Sequence, residues 1–89
     1  MLLSVVVCTY NREDYLKKCL ECIVNSTLDK SLYEVLVIDN NSVVKTGEVV
    51  ESYRKLADNI FYFQEHQQGL SFARNRAIKE ARGKYLLYL

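Results

Sequence analysis

The sequence contains no proline, and its three glycines lie far apart, at positions 47, 69 and 83. No two glycines are close enough to form the phosphate-binding loop of Walker-type NTPases or the fingerprint of NAD-binding enzymes, so the sequence argues against both classes. No linker-like segment, repeat or low-complexity stretch is present, so no internal domain boundary is expected. The 89 residues therefore form one small domain or part of a larger one.

Neither sign of charge dominates, because 12 basic and 11 acidic residues alternate along the chain and give a net charge of +1. Since no basic stripe stands out, nucleic acid is not an expected partner. The apolar stretch over residues 1–7 is too short to cross a bilayer and has no basic region of the kind that begins a signal peptide. We therefore expect no membrane segment in this chain and a cytoplasmic location, with any membrane association belonging to a full-length parent protein.

Cysteine is also scarce, and the count of three is odd. An odd count in an α/β pattern indicates free thiols in a reducing compartment. Cys19 and Cys22 form a C-x-x-C pair, but the pair falls in the middle of a predicted helix rather than at the N-terminus where the dipole activates a thiol. No second pair is available to complete a zinc site, so both are expected to pack in the core.

Apolar strands alternate with amphipathic helices along the whole chain, and the apolar fraction of 49% is sufficient for a core. The pattern predicts strands over residues 3–8, 33–38, 60–63 and 84–89, and helices over residues 13–25, 43–56 and 70–82. With right-handed crossovers, this β-α-β-α-β-α-β order predicts an α/β fold, a Rossmann-like three-layer sandwich with a parallel sheet in the order 3-2-1-4. The order reverses at strand one, which places a crevice between strands one and four.

Local signals predict the ends and inner faces of the helices. Asn11 is the expected N-cap of the first helix, and Gly83 is the expected C-cap of the third. The inner face of the second helix is predicted to comprise Val43, Val44, Val50, Tyr53 and either Leu56 or Ala57. The inner face of the third is predicted to comprise Leu70, Ala73, Ala77, Ile78 and Ala81.

Three clusters of residues, most of them polar, lie after strands one and two and at the start of helix three. They are Thr9, Tyr10, Asn11 and Arg12; then Asp39, Asn40, Asn41 and Ser42; and finally Gly69, Leu70, Ser71, Arg74 and Asn75. Because the carboxyl ends of parallel strands meet at one edge of a sheet, these groups are expected to converge there.

Such a set suits a nucleoside diphosphate. The Asp39 carboxylate can accept hydrogen bonds from ribose hydroxyls or from an imide N–H, while Thr9 and Asn11 can bond to the base or ribose. Tyr10 offers an aromatic face to a base. The amides at the start of helix three, together with Arg74, can neutralise a diphosphate.

Plainer readings of the same residues remain open. Residues 39–42 can be a turn plus the cap of the second helix. Arg74 and Arg76 can be a solvated helix face, and Tyr10 a packed aromatic residue. His66 is expected to be a loop histidine without a role.

Three stretches together resemble the N-terminal part of a family 2 glycosyltransferase with the GT-A fold. Residues 5–12 (VVVCTYNR) resemble the first strand and loop of the family, and residues 35–42 (VLVIDNNS) resemble its second strand with the Asp-(Asp/Asn)-x-Ser ending. Residues 68–78 (QGLSFARNRAI) resemble its Gly-x-x-x-Ala-Arg-Asn helix. The resemblance covers essentially the whole chain.

The resemblance implies an enzyme that transfers a sugar from a nucleotide-sugar donor to an acceptor hydroxyl, usually with inversion. It assigns Thr9, Tyr10 and Asp39 to a nucleoside, often uridine, and Arg74 to the base or diphosphate. Arg12 and Asn75 would support the pocket, and Asn40 stands where aspartate is commoner. The expected nucleotide-sugar site thus comprises Thr9, Tyr10, Asn11, Arg12, Asp39, Asn40, Ser42, Gly69, Arg74 and Asn75.

In the family, a strand like residues 85–89 leads directly into an Asp-x-Asp motif that holds Mg²⁺ or Mn²⁺, and the general base lies further on. None of these groups is in the 89 residues. We therefore expect residues 1–89 to be the nucleotide-sugar-binding half of a GT-A domain, with no catalytic residue, no bound metal and no transfer activity by itself. The Mg²⁺ or Mn²⁺ would belong to the full-length parent.

The last strand is expected to be an apolar edge over residues 85–89, which favours a homo-oligomer through that edge. An alternative function is a non-catalytic nucleotide-binding or interaction module on the same half-fold. A nucleotidyltransferase is a third, less favoured reading, because that class usually has a glycine- and arginine-rich loop after strand one, which Thr9 to Arg12 does not provide.

Overall fold

The computed structural model describes residues 1–43 and 45–89. In chain order the elements are β1 (Leu3–Thr9), α1 (Glu13–Val24), a 3-10 turn (Lys30–Leu32), β2 (Tyr33–Asp39), α2 (Thr46–Arg54), β3 (Ile60–Gln64), α3 (Leu70–Glu80) and β4 (Tyr85–Tyr88). All four strands lie within one residue of their predicted bounds. No helix of the described ranges combines the length and hydrophobicity that a bilayer span requires.

The four strands form one parallel sheet in the order β3-β2-β1-β4, which confirms the predicted α/β topology. Thr9 is opposite Asp39, and Asp39 is opposite Gln64, so β1, β2 and β3 end at the same level. Tyr88, at the end of β4, is opposite Val6, and β1 therefore extends three residues beyond that pair.

The two faces of the sheet bury different helices because successive strand residues point to opposite sides. One core cluster joins α1 and α2 to Val5, Val7, Val35, Val37 and Ile60. The other joins Ala73 and Ala77 of α3 to Val6, Leu36 and Ile38. Every residue of β2 is buried, as expected for a central strand covered on both faces.

A polar cluster of Ser4, Glu34, Arg82 and Gly83 lies at the amino-terminal edge of the sheet, opposite the predicted site. The Glu34 side chain is 1% exposed, accepts a hydrogen bond from Ser4 Oγ at 2.7 Å, and pairs with the Arg82 guanidinium at 3.0 Å. The Arg82 and Gly83 amides donate to Glu34 and Ser4, respectively. Burial raises the pKa of Glu34, but the hydrogen bonds from Arg82 and Ser4 and the charge of Arg82 together outweigh this effect. The pKa of Glu34 is therefore lowered overall.

Gly83 belongs to this polar cluster, and the prediction that it caps the third helix was wrong. Helix α3 ends at Glu80, and its C-cap is Ala81 in an extended conformation. A Cβ at position 83 would lie 2.5 Å from the Ser4 amide nitrogen and 2.6 Å from the Leu3 carbonyl carbon. Glycine is therefore required because two backbones meet, rather than because a helix stops there.

The inner face of α3 is narrower than predicted. Ala73 and Ala77 are buried against the sheet, whereas Leu70 and Ile78 are 57% and 61% exposed. Two alanines four residues apart let the helix axis approach the sheet closely, and Leu70 and Ile78 then fall to the sides of the contact. The prediction that Leu70 and Ile78 face inward was wrong.

Helix α2 is shorter than predicted, since it begins at Thr46 rather than at Val43. Val43 is 88% exposed, so its placement on the inner face was wrong; Val44 lies outside the described residues. Of the two alternatives at the end of the helix, Ala57 is the buried one and Leu56 is 67% exposed.

Helix α1 also differs from prediction at both the cap and the thiols. Its N-cap is Arg12, without a capping side-chain hydrogen bond, so the Asn11 prediction was wrong. Cys8, Cys19 and Cys22 are free thiols, but Cys22 is exposed, and its expected core packing was wrong. Leu16 and Leu20 supply the buried stripe of the helix instead.

Candidate functional site

The three predicted polar clusters meet at the carboxyl-terminal edge of the sheet. We call the residues that are hydrogen-bonded to one another there the rim: Thr9, Asn11, Asp39, Asn40, Ser42 and Gly69. Their spacing in the chain is large, but backbone and side-chain hydrogen bonds join all three clusters. The convergence expected from parallel strands is thus present in the structure.

The first two clusters are joined by Asn11 and Ser42. The Asn11 amide donates to Ser42 Oγ at 2.9 Å, and Asn11 Oδ1 accepts from the Val43 amide at 2.8 Å. Asn11 adopts a left-handed conformation with φ of 50°, which asparagine tolerates better than most residues. Its side chain therefore closes the β2–α2 loop onto the end of β1 instead of capping α1.

Asn40 joins the second cluster to the third. Its Oδ1 accepts from the Gly69 amide at 2.8 Å, and its Nδ2 donates to the carbonyls of Gln67 at 2.8 Å and Glu65 at 3.3 Å. Its own amide donates to the Thr9 carbonyl at 2.8 Å. Asn40 is 7% exposed, and its side chain thus fixes the β3–α3 loop rather than pointing to solvent.

This arrangement explains why an amide suits position 40. A carboxylate has no hydrogen to donate and would oppose its negative charge to the carbonyl oxygens of Glu65 and Gln67. The amide satisfies two acceptors and one donor at once. Asn40 is therefore a structural member of the rim, and its contacts place the start of α3 beside β1 and β2.

Asp39 is the buried carboxylate of the rim, with 1% of its surface exposed. Its Oδ1 accepts from the Ser42 amide at 2.9 Å, and its Oδ2 accepts from the Tyr62 hydroxyl at 2.5 Å. Burial of Tyr62 and its hydrogen bond to Asp39 raise the pKa of the Tyr62 hydroxyl to about 12. Tyr62 consequently keeps its proton, and remains a donor, throughout the neutral range.

Tyr62 was missed by sequence reasoning, although a signal for it exists. In the β2–β3 register Tyr62 is opposite Val37, two residues before Asp39 on the same side of the sheet. A tyrosine hydroxyl at that position is within reach of a carboxylate at the end of the neighbouring strand.

Thr9 lies next to Asp39 and carries a polar group without a partner. Its residue is 3% exposed, and the buried Oγ1 makes no hydrogen bond within the described protein. Buried hydroxyls normally have a partner, so an unpaired one at a predicted ligand site is notable. The pair Thr9 and Asp39 thus offers one unused hydroxyl and one carboxylate at adjacent strand ends.

Arg74 lies on the opposite face of the same edge. Its guanidinium is 5.5 Å from the centre of the Tyr88 ring. It is also close enough to Cys8 to lower the pKa of that thiol, although burial has the larger effect and raises the pKa overall. Arg74 therefore lies between β1 and β4, where the sheet order predicts the crevice.

Two of the other predicted site residues line two different grooves. Asn75 lines one with Glu65, Gln67, Phe72, Arg76 and Lys79. The Arg12 guanidinium stacks 4.5 Å over the Tyr15 ring and lines, with Asn11, an open cavity of about 550 Å³ at the start of α1. Tyr10 is 45% exposed and therefore free to present its ring, which argues against the packed-aromatic reading.

The position of Arg76 is explained by its ion pairs and hydrogen bonds within the protein. It pairs with Glu80 at 2.8 Å and with Glu65 at 3.8 Å, and it donates to the Gln64 carbonyl. His66, as expected for a loop residue, is exposed.

The described residues do not fit a metal centre. Across residues 1–43 and 45–89, no three His, Cys, Asp or Glu side chains lie together in a way that could hold a metal ion. At the rim itself, both oxygens of the Asp39 carboxylate already have protein donors. The Asp-x-Asp motif to which the resemblance assigns Mg²⁺ or Mn²⁺ is not among the 89 residues.

Comparison with known proteins gives the family. The sequence profile described as Glycosyl transferase family 2 matches residues 4–89. The chain belongs to glycosyl transferase family 2. Similar proteins include a poly(ribitol-phosphate) beta-glucosyltransferase of Bacillus spizizenii, 33% identical over 91 residues, and glycosyltransferase AglE of Haloferax volcanii, 37% identical over 87 residues.

Solved structures of similar proteins share the fold. Crystal structures of residues 1–349 of S. aureus TarS, including complexes with UDP and UDP-GlcNAc, superpose with a TM-score of 0.91 at 34% identity and cover the whole chain. A mannosyltransferase from Pyrobaculum calidifontis superposes over 94% of the chain with a TM-score of 0.85 at 24% identity, which shows a common fold.

These proteins are much longer than this chain. The whole of this family 2 chain aligns with 14% of the B. spizizenii protein, and 97% of it aligns with 29% of AglE. It likewise covers 26% of the TarS chain solved with UDP-GlcNAc.

Proposed function

We propose that residues 1–89 form the donor-nucleotide-binding half of a family 2 glycosyltransferase domain that takes a UDP-sugar. The parent enzyme would transfer the sugar to an acceptor hydroxyl with inversion. The observation that carries this proposal is the rim, because hydrogen bonds unite its three polar clusters beside an unpaired Thr9 hydroxyl. The UDP complexes of the 34% identical TarS support the choice of nucleotide.

The nucleoside would bind on the Thr9 and Asp39 side of the rim. Thr9 Oγ1 needs a hydrogen-bond partner, and a base or ribose supplies one. The Asp39 carboxylate accepts from an imide N–H or from ribose hydroxyls. Tyr10, exposed at the end of β1, offers its ring to the base.

The diphosphate would bind toward Arg74 and the start of α3. In the first turn of α3 the Phe72 amide donates to the Gly69 carbonyl at 3.1 Å, so an anion would bind to the Leu70 and Ser71 amides that precede it. Gly69 takes part indirectly, because its own amide is already donated to Asn40. The Asn40 contact thus orients the start of α3, and the Arg74 guanidinium adds a positive charge at the same edge.

Transfer would need groups beyond these residues. The resemblance assigns the metal to an Asp-x-Asp motif, which the 89 residues do not contain. When bound in the parent, Mg²⁺ or Mn²⁺ would offset the charge of the leaving diphosphate. We accordingly propose that this chain binds donor nucleotide but does not transfer sugar by itself.

Two further properties of the chain are proposed from its surface and thiols. The β4 side chains are exposed, with Leu87 at 47% and Tyr88 at 39%, and such an edge pairs readily with another strand. We propose that it pairs with a second copy of this chain.

The three free thiols favour a reducing, cytoplasmic compartment.

Calorimetric titration of UDP into the wild-type chain and into Thr9→Val tests the proposed function. Thr9→Val keeps the side-chain shape and removes a hydroxyl that stabilises nothing within the described fold, so folding should be unaffected. We expect UDP affinity to fall roughly five- to tenfold, the value of one hydrogen bond.

The matched control is Tyr33→Phe. It also removes a buried, unpaired hydroxyl, but at the amino-terminal end of β2, opposite the rim. We expect this variant to bind UDP like the wild type. Failure of the wild type to bind UDP would refute the proposed function.

A further inference from the structure

We propose that Tyr62 is a positioning residue for the nucleobase, because its hydroxyl holds the Asp39 carboxylate so that the site selects a base that presents an N–H group. This inference rests on the proposed function and extends it to a residue outside the three stretches that carry the family resemblance. Tyr62 acts through Asp39 and does not itself contact the ligand.

The first observation is the geometry of the Tyr62–Asp39 contact. The hydroxyl donates to Asp39 Oδ2 at 2.5 Å, the length of a strong charge-assisted bond. The Tyr62 ring packs on the backbone of α2 at Gly47, where a Cβ would lie 3.4 Å from Cε2. The ring is thus held between β3 and α2, and both ends of the contact belong to regular elements.

The two oxygens of Asp39 are therefore not equivalent. Oδ2 is bonded to a side chain of the sheet, whereas Oδ1 is bonded to the backbone amide of Ser42 in the β2–α2 loop. Asn41, beside it, has a left-handed φ of 66°. Each oxygen of a carboxylate has two lone pairs, so Oδ1 can accept from a base in addition to the Ser42 amide. We assign Oδ1 as the atom that meets the base and Oδ2 as the atom that Tyr62 retains.

The chemistry then determines which base is accepted. An ionised carboxylate only accepts hydrogen bonds, and Tyr62 remains a donor to it because the pKa of its hydroxyl is about 12. A uracil ring offers an imide N–H to Oδ1, whereas the corresponding nitrogen of cytosine carries a lone pair. A lone pair facing a carboxylate oxygen leaves both acceptors unpaired, and polar mismatches of this kind discriminate strongly.

The test compares UDP and CDP binding to the wild-type chain, Tyr62→Phe and Tyr33→Phe by calorimetry. We expect the wild type to bind UDP more tightly than CDP by roughly tenfold or more. Tyr62→Phe should weaken UDP binding roughly tenfold and leave CDP binding little changed, because only the N–H contact depends on an oriented Oδ1. Tyr33→Phe, which loses a buried tyrosine hydroxyl at the other end of the sheet, should keep the wild-type ratio.

A merely structural role for Tyr62 would change both affinities by the same factor, so an unchanged UDP-to-CDP ratio in Tyr62→Phe overturns the inference. Absence of UDP binding to the wild type instead refutes the proposed function, and the inference with it. If Tyr62→Phe does not fold, spectra of the wild type labelled with ¹³C-tyrosine decide. The Tyr62 ring signals should shift on addition of UDP, but less on addition of CDP; equal shifts with the two nucleotides would reject the assignment.

Discussion

Replacing Asn40 by aspartate should destabilise the fold, although the two side chains have the same shape. The bond from the Gly69 amide to Oδ1 survives, because a carboxylate oxygen also accepts. The bonds that Nδ2 donates to the carbonyls of Gln67 at 2.8 Å and Glu65 at 3.3 Å are lost, and a negative charge takes their place. The substitution therefore converts two attractive contacts into repulsive ones.

The size of the effect follows from these contacts. The bond to Gln67 is worth about 1 kcal/mol, and the longer one to Glu65 less. Leaving their carbonyls opposite a charge at a residue that is 7% exposed adds about 1–3 kcal/mol. We expect Asn40→Asp to lower the free energy of unfolding by about 2–4 kcal/mol at pH 7, a large share of the stability of a small domain.

The loss should also depend on pH. Carbonyl oxygens raise the folded-state pKa of the new carboxyl group above its unfolded value of about 3.9. Since the unfolded state then ionises first as the pH rises, the penalty grows above about pH 4 and is smallest below it, where the protonated group can donate.

Urea unfolding at pH 7 and at pH 3.5 measures the effect, with Asn41→Asp as the matched control. Asn41 is exposed and has a left-handed φ of 66°, which aspartate also tolerates, so the control should change stability by less than about 0.5 kcal/mol. Equal losses in the two variants would refute the role assigned to Asn40.

Three further predictions concern other parts of the fold. Gly83→Ala should lower the free energy of chemical unfolding by about 1–3 kcal/mol, because the new Cβ meets the Ser4 and Leu3 backbones. Gly47→Ala, whose nearest contact is a ring atom at 3.4 Å, should cost much less, and similar losses in the two variants would exclude the clash. Glu34 has a folded-state pKa below its unfolded value of about 4.3, so the stability that its ionised form contributes is complete above that pH and is lost as the pH falls through the folded pKa. The free energy of unfolding should therefore change less between pH 6 and pH 2 in Glu34→Gln than in the wild type, and equal pH dependence of the two would contradict this assignment. Light scattering after size-exclusion chromatography should show a dimer that Leu87→Lys converts to a monomer, and a monomeric wild type would exclude pairing through β4.

The topology was predictable from sequence because it depends on patterns that are local in the chain. Buried β-branched runs such as residues 5–7 and 35–38 mark central parallel strands, and right-handed crossovers then leave few possible orders. The meeting of Thr9 with Asp39 followed from the same rule. These predictions required no knowledge of individual side-chain contacts.

The errors arose where a residue serves a distant partner. Asn11 resembles a cap, but its side chain accepts from Val43, 32 residues away. Gly83 resembles a helix stop, but it is needed where the chain passes Ser4. Tyr62 could not be assigned from composition, because its role depends on the register between β2 and β3. Tertiary contacts of this kind override local preference.

The hydrogen bonds of the rim close long loops of the chain. Asn11–Ser42, Asn11–Val43 and Asn40–Gly69 each span about thirty residues, from 29 to 32 positions. The pairing of β1 with β2 spans a similar distance in the chain, since Thr9 is opposite Asp39, so rim and sheet incur the same loop-closure entropy and depend on each other. A nucleotide held at this edge would therefore stabilise only the folded sheet, and the melting temperature should rise with the logarithm of ligand concentration.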